Sequence, residues 1–382
     1  MKALLAIGVV VLAIASVGWP VGSASRMTRP DRRSLRSGRD AGGATAYWDT
    51  QWTIAPPKGG VGVIVGAAVC GDEAFLLDRQ LAVVHRVDLT QGAIVGDIGA
   101  GPGWTGLHEV AGLTADCDRQ MLYVTDKSGV IVFDVASEQV VGRFAKPETF
   151  VNSVGSAALD PVANVLYVPG LWPATANDWL RKPVDRMFEG DRLGYRLDLA
   201  TGQSSPMVSP VERGCWSLGP NCLYATLDAI QGHAGGFLAA HVVGMSVGVY
   251  DAAYRLVRTV DVRSRLFLEN GVRNGSQRIA EMVAWNADNS VIRDVYAFGD
   301  TIVAVHSSNR SRGWKPGRPI DFDVFMNVHG IDGTSVASDV RLPDLPVGRD
   351  ATSIYVVDYG LGGRRRIGRG PISLVRIPVD WQ

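Results

Sequence analysis

Residues 101–145, GPGWTGLHEVAGLTADCDRQMLYVTDKSGVIVFDVASEQVVGRFA, decide how the chain is read. Within them, residues 109–115 form a small-residue apolar strand, and residues 121–125 a β-branched and aromatic one that ends at Asp126. Residues 130–135 and 140–145 supply two more. Four short strands separated by turn residues, with no helical period, are the pattern of one β-propeller blade, and much of the chain reads as looser copies of it.

The copies are counted by the second strand of each blade, the one most often marked by an aromatic residue and a final Asp. Six stretches qualify: residues 74–78, 121–126, 165–170, 236–243, 301–308 and 353–358. Asp78 to Asp126 is 48 residues and Asp126 to Gly170 is 44, close to the usual blade length of about 40–50. Later spacings lengthen through insertions. Turns repeat as well, at residues 88–92, 198–202 and 331–333, each placing Asp and Gly where a hairpin needs a side-chain cap and a positive φ. The expected fold is therefore all-β, a six-bladed propeller over residues 49–382. Its last blade is one strand short, whereas residues 49–55, DTQWTIA, form a lone strand ahead of the first repeat. Pairing that strand at the outer edge of the last blade would close the ring and protect the edge.

The succession GPG, GL-x-x-D, LYV-x-D and VFD in residues 101–134 resembles the NHL-repeat and TolB-like six-bladed propellers of bacteria. The resemblance is strongest over residues 101–135 and is weakened in blades three to five by insertions and by loss of the strand-end Asp, as at Gly170. It implies a scaffold used for binding ligand or protein, and it supplies no activity, because fold does not fix function.

Ahead of the propeller, residues 1–24 read as a secretory signal, with basic Lys2, an apolar core over residues 4–19 and small residues before Ser25. The apolar run is shorter than the roughly 20 residues of a spanning helix, and Pro20 ends it. A secreted or periplasmic location follows, with no stable membrane span once the signal is removed and no nucleic-acid partner. Residues 25–48 form a basic linker with little to bury. The chain has 45 glycines and a formal net charge of zero, as suits a turn-rich globular domain. Four cysteines in an oxidising compartment favour disulfides over metal ligation. Cys215 and Cys222 are expected to close a local loop, and Cys70 and Cys117, at matching places in consecutive repeats, to staple two blades.

Strands alternate in direction, so loops leading into the first strand of each blade and loops joining strands two and three share one face. The long insertions belong to that class: residues 171–192, 262–277, 309–319 and 360–371. They carry Arg181, Arg310, Arg312, Arg364, Arg365 and Arg366 among other arginines, with Trp179 and Trp314 between them. A basic face with aromatic platforms on an electrically balanced protein points to an anionic ligand or protein partner.

Glu109, Asn152, Asn221 and Glu281 lie seven or eight residues before Asp116, Asp160, Asp228 and Asp288, and would ring the channel mouth with Asp350 as a fifth oxygen donor. Such donors suit Ca²⁺. In residue type alone they resemble the calcium sites of six-bladed lactonases, which gives an alternative reading as a Ca²⁺-dependent hydrolase or lyase of the lactonase or streptogramin-lyase kind. No H-E-x-x-H or Walker motif is present. His108 and His233 are the histidines placed to serve as general bases.

Overall fold

The computed structural model describes residues 50–57, 60–99, 107, 109–148, 150–152, 155–172, 192–207, 225–230, 235–241, 246–262, 264–266, 290–309, 322–359 and 370–379. The described strands make six antiparallel sheets in chain order. Blade one is Ile64–Cys70, Glu73–Asp78, Val83–Asp88 and Ala93–Ile98, and blade two is Gly112–Asp116, Met121–Asp126, Gly129–Asp134 and Gln139–Ala145. Blade three has a divided inner strand, Val151–Asn152 and Ala158–Asp160, followed by Val165–Trp172, Arg192–Asp198 and Ser204–Pro206. Blade four is Ala225–Ala229, Phe237–His241, Ser246–Tyr250 and Leu256–Asp261, and blade five is Val291–Phe298, Thr301–Asn309, Phe322–Gly330 and Ser335–Leu342. Blade six is Pro346–Arg349, Ser353–Asp358 and Ile372–Pro378, with Thr50–Ile54 as its outer strand.

The closing strand pairs as its sequence suggests. Thr50 lies opposite Arg376 and Ile54 opposite Ile372. Ile54 is fully buried, which contributes about 1.5–3 kcal/mol. The strand also touches blade one, where the Ala55 N–H donates to the Gly92 carbonyl at 2.9 Å.

Apolar side chains between successive blades form one cluster at each of the six seams. A middle strand is therefore covered on both faces. That is why blade one's EAFLLD and blade two's MLYVTD are apolar almost throughout, whereas blade two's outer QVVGRFA alternates between exposed and half-buried residues. Near the axis some seams close on backbone. A Cβ at Gly348 would collide with the Ala67 carbonyl of blade one, and one at Gly112 with Ser156 of blade three.

The Cys70–Cys117 disulfide is present, with Cα atoms 5.4 Å apart, and it joins the inner-strand ends of blades one and two. Cys215 and Cys222 lie outside the described residues, as do the signal and the linker. One strand boundary shifts: blade two's inner strand starts at Gly112 rather than at Glu109, whose φ of 54° breaks the extended run.

Candidate binding face

Strand polarity gives the ring two unlike faces. On one, which we call the turn face, a carboxylate at or just past the end of the third strand caps the turn to the outer strand. Asp88 accepts from the Thr90 N–H at 2.8 Å, Asp134 from Ser137 at 2.7 Å, Asp198 from Thr201 at 2.9 Å, Asp251 from Ala253 at 2.9 Å and Asp332 from Thr334 at 2.9 Å. Gly92, Gly202 and Gly333 supply the positive φ angles of 63°, 71° and 92° that these turns need.

On the opposite face, the loop face, the described strand ends at Trp172 and Arg192, Asn309 and Phe322, and Asp358 and Ile372 flank the connections between strands two and three. Residues 208–224 and 267–289 lead into the inner strands of blades four and five from the same face. Arg181, Trp179, Arg310, Arg312, Trp314, Arg364, Arg365 and Arg366 all fall in these connections, outside the described residues.

At blade two the loop face is described in detail. Asp126 caps the turn into strand three by accepting from the Ser128 N–H at 2.7 Å and the Gly129 N–H at 3.1 Å. The Lys127 ammonium lies 3.3 Å from the Glu109 carboxylate, both side chains being well exposed. Lys146 donates to the Phe150 carbonyl at 2.8 Å. Burial and then the neighbouring Lys127 charge push its amine below the usual lysine range. Sequence alone does not single out these two lysines, because each stands alone in a turn and only the fold brings them together.

The proposed oxygen ring is only partly described. Glu109 is on the loop face, engaged by Lys127. Asn152 lies on a two-residue strand opposite Gly170, with its side chain outside the described part. Asn221 and Glu281 lie outside the described residues, and Asp350 caps a turn-face loop by accepting from the Thr352 N–H at 2.7 Å and the Ser353 N–H at 2.8 Å. Asp350 therefore belongs to the face opposite Glu109. The spacing behind Glu281 also changes: blade five's inner strand starts at Val291, so Asp288 precedes that strand rather than ending it. Among the described residues no group of three or more His, Cys, Asp or Glu side chains is placed to hold a metal ion. His108 and His233 are outside the described residues.

The inner wall holds a buried polar seam that spans three blades. In blade five, Asp294 accepts from the Thr226 hydroxyl of blade four at 2.6 Å and from the Tyr296 hydroxyl at 2.8 Å. Burial pushes its carboxyl up to about 6 against those bonds. Asp228 accepts from the Ala297 N–H at 2.7 Å, and Arg349 of blade six donates to it at 2.8 Å and to the Ala297 carbonyl at 3.1 Å. Burial also raises the Asp228 carboxyl, with Arg349 opposing. The sequence signal was present as the charged pair Arg293-Asp294 inside an otherwise apolar strand, but Thr226, which donates to Asp294, lies 68 residues away, and Arg349 and Asp228 are 121 residues apart.

Six four-stranded units of this connectivity, closed by an N-terminal strand, define a six-bladed β-propeller. The chain is similar in structure to a member of the DUF4221 family from Bacteroides vulgatus, with a TM-score of 0.63 and 11% identity over 88% of this chain and 98% of that one. It is also similar to a candidate exported protein from Bacteroides fragilis, with a TM-score of 0.48 and 10% identity over 86% and 94% of the two chains. A third is the calcium-binding protein regucalcin from Agrobacterium tumefaciens, with a TM-score of 0.43 and 9% identity over 86% and 94%. The first shares the six-bladed fold. No family profile and no curated protein sequence matches the chain.

Proposed function

We propose that the chain is an extracytoplasmic propeller that binds an anionic ligand or protein partner through its loop face. The observation that carries this reading is the strand polarity. Connections far apart in sequence leave the ring from one side, so the charges of their arginines add there. The Cys70–Cys117 disulfide supports an oxidising compartment.

The test is a variant with Arg364, Arg365 and Arg366 all changed to Glu, assayed against vesicles containing phosphatidylglycerol and against dextran-sulfate beads. Binding by the parent should weaken with salt, since the Debye length falls from about 10 Å at 0.1 M to about 3 Å at 1 M. The triple variant should bind less at low salt while melting at the parent's temperature. Equal binding of variant and parent at low salt would rule out this reading.

A further inference from the structure

The seam where the ring closes contains a buried histidine between two carboxylates. His85, on blade one's third strand, is fully buried. Its Nδ1 lies 2.6 Å from Asp97 Oδ1, and its Nε2 lies 3.3 Å from Asp78 Oδ2. Asp78, at the end of the second strand, is fully buried too. It accepts from the Gly62 N–H at 2.5 Å, the Gln80 N–H at 2.8 Å and the Leu81 N–H at 3.0 Å. Gly62 belongs to the short passage between the closing strand and blade one. Beyond it the Val63 carbonyl accepts from the Arg79 N–H at 2.9 Å, and the Ile64 N–H donates to the Tyr359 hydroxyl of blade six at 2.8 Å. One carboxylate thus holds the passage, the following turn and the imidazole together.

The strand register shows which way the ring faces. His85 lies opposite Leu76, which packs with Ile54, Ile372 and Leu374 of the last blade. Asp78 on the second strand and Asp97 on the outer strand are the ionisable groups that act on it. Among the described residues, the last blade contributes apolar side chains to this cluster. Arg86, the next residue, is engaged elsewhere, with Glu73 and Glu138.

We propose that His85 is a pH-operated latch on ring closure, holding the seam between the last and first blades while both its nitrogens carry protons and loosening it when one proton leaves to solvent. A doubly protonated ring donates to both carboxylates. A neutral ring has one donor, and the shorter contact to Asp97 retains it. The Nε2 lone pair then faces the Asp78 oxygen that also holds Gly62, an acceptor against an acceptor in a buried place.

The sign follows from the same contacts. Burial opposes the charged ring, but the bonds from Asp78 and Asp97 outweigh it and hold the imidazole above its ordinary value. The stabilisation is therefore fully present below about pH 6.5, the value of a free histidine, and is lost as pH rises through the higher folded value.

Hydrogen exchange of residues 50–54, corrected for the intrinsic rate and followed from pH 6 to pH 9.5, tests the latch. Residues 139–145, the outer strand of blade two, serve as the internal reference. Opening of the closing strand should increase by about tenfold or more across that range, while the reference stays constant. His85→Gln should flatten the response. Should that variant fail to fold, ¹⁵N imidazole titration of the parent decides: a His85 ring that titrates above free histidine supports the latch. A ring titrating at or below pH 6.5, or closing-strand protection that tracks the reference, overturns it.

Discussion

Arg349 reaches past blade five to Asp228, its guanidinium nitrogen 2.8 Å from the carboxylate, so that the first strands of blades six and four are tied across the strand between them. The pair has exposures of 16% and 6% on its two side chains, and removing one partner of so buried a pair leaves a charge without its counterion. Arg349→Ala is expected to cost about 3–5 kcal/mol at neutral pH in urea denaturation. Adding Asp228→Asn should recover part of that loss, because the stranded charge goes with it. Burial already raises Asp228, so the penalty of the single variant should also shrink as pH falls and the carboxyl takes up a proton. Strict additivity of the two substitutions would show that they do not interact.

The acid limb of stability should report His306. It is buried in blade five, its ring stacked on Phe325 with centroids 5.6 Å apart and its Nδ1 3.3 Å from the Asn327 amide. Burial depresses it to about 4. A depressed group contributes stability that is present above the unfolded value of about 6.5 and is lost as pH falls towards 4, roughly 3 kcal/mol in all. His306→Phe should flatten thermal stability across that window; an unchanged slope would assign the acid limb to other groups.

Replacing Cys70 and Cys117 by serine opens a covalent loop with a separation of 47 residues. Chain entropy sets the loss at about 3–4 kcal/mol. Peptide mapping without reductant should recover the two cysteines as one linked pair, and their recovery as free thiols would remove the staple.

Deleting residues 50–55 should abolish cooperative melting or lower it far more than deleting residues 26–46, since the closing strand is paired along its length with Ile372–Pro378 and carries the buried Ile54. Equal melting temperatures for the two deletions would contradict its role in closure.

The parts legible in the sequence were those whose burial is local and symmetric. Middle strands such as residues 74–78 and 121–126 are covered on both faces, so they carry uninterrupted apolar runs that count the blades without reference to partners. The closing strand was legible because an unpaired strand at one end matched a missing strand at the other. Cys70 and Cys117 were legible because repetition placed them at equivalent positions. The inner wall was not legible. Asp228, Asp294 and Arg349 meet only because the ring brings three blades to one axis, and no local pattern marks them as partners. Blade five misled the spacing argument for a similar reason. Its inner strand runs Val291–Phe298, so Asp288, taken from the sequence as that strand's end, instead precedes it.

The pairing of Thr50 with Arg376 sets an order of events for a chain made and delivered from its N-terminus. The closing strand emerges among the first described residues, yet its hydrogen-bonding neighbour is synthesised more than three hundred residues later, as their numbers show. During that interval Ile54 and Trp52 have no finished blade to pack into, whereas blades one and two can form from contiguous sequence. Until then the nascent chain carries an open arc of blades with an apolar flank at each end. Once Ile372–Pro378 arrives, both flanks are covered together, which makes completion of the ring the last step of folding and the one most exposed to truncation.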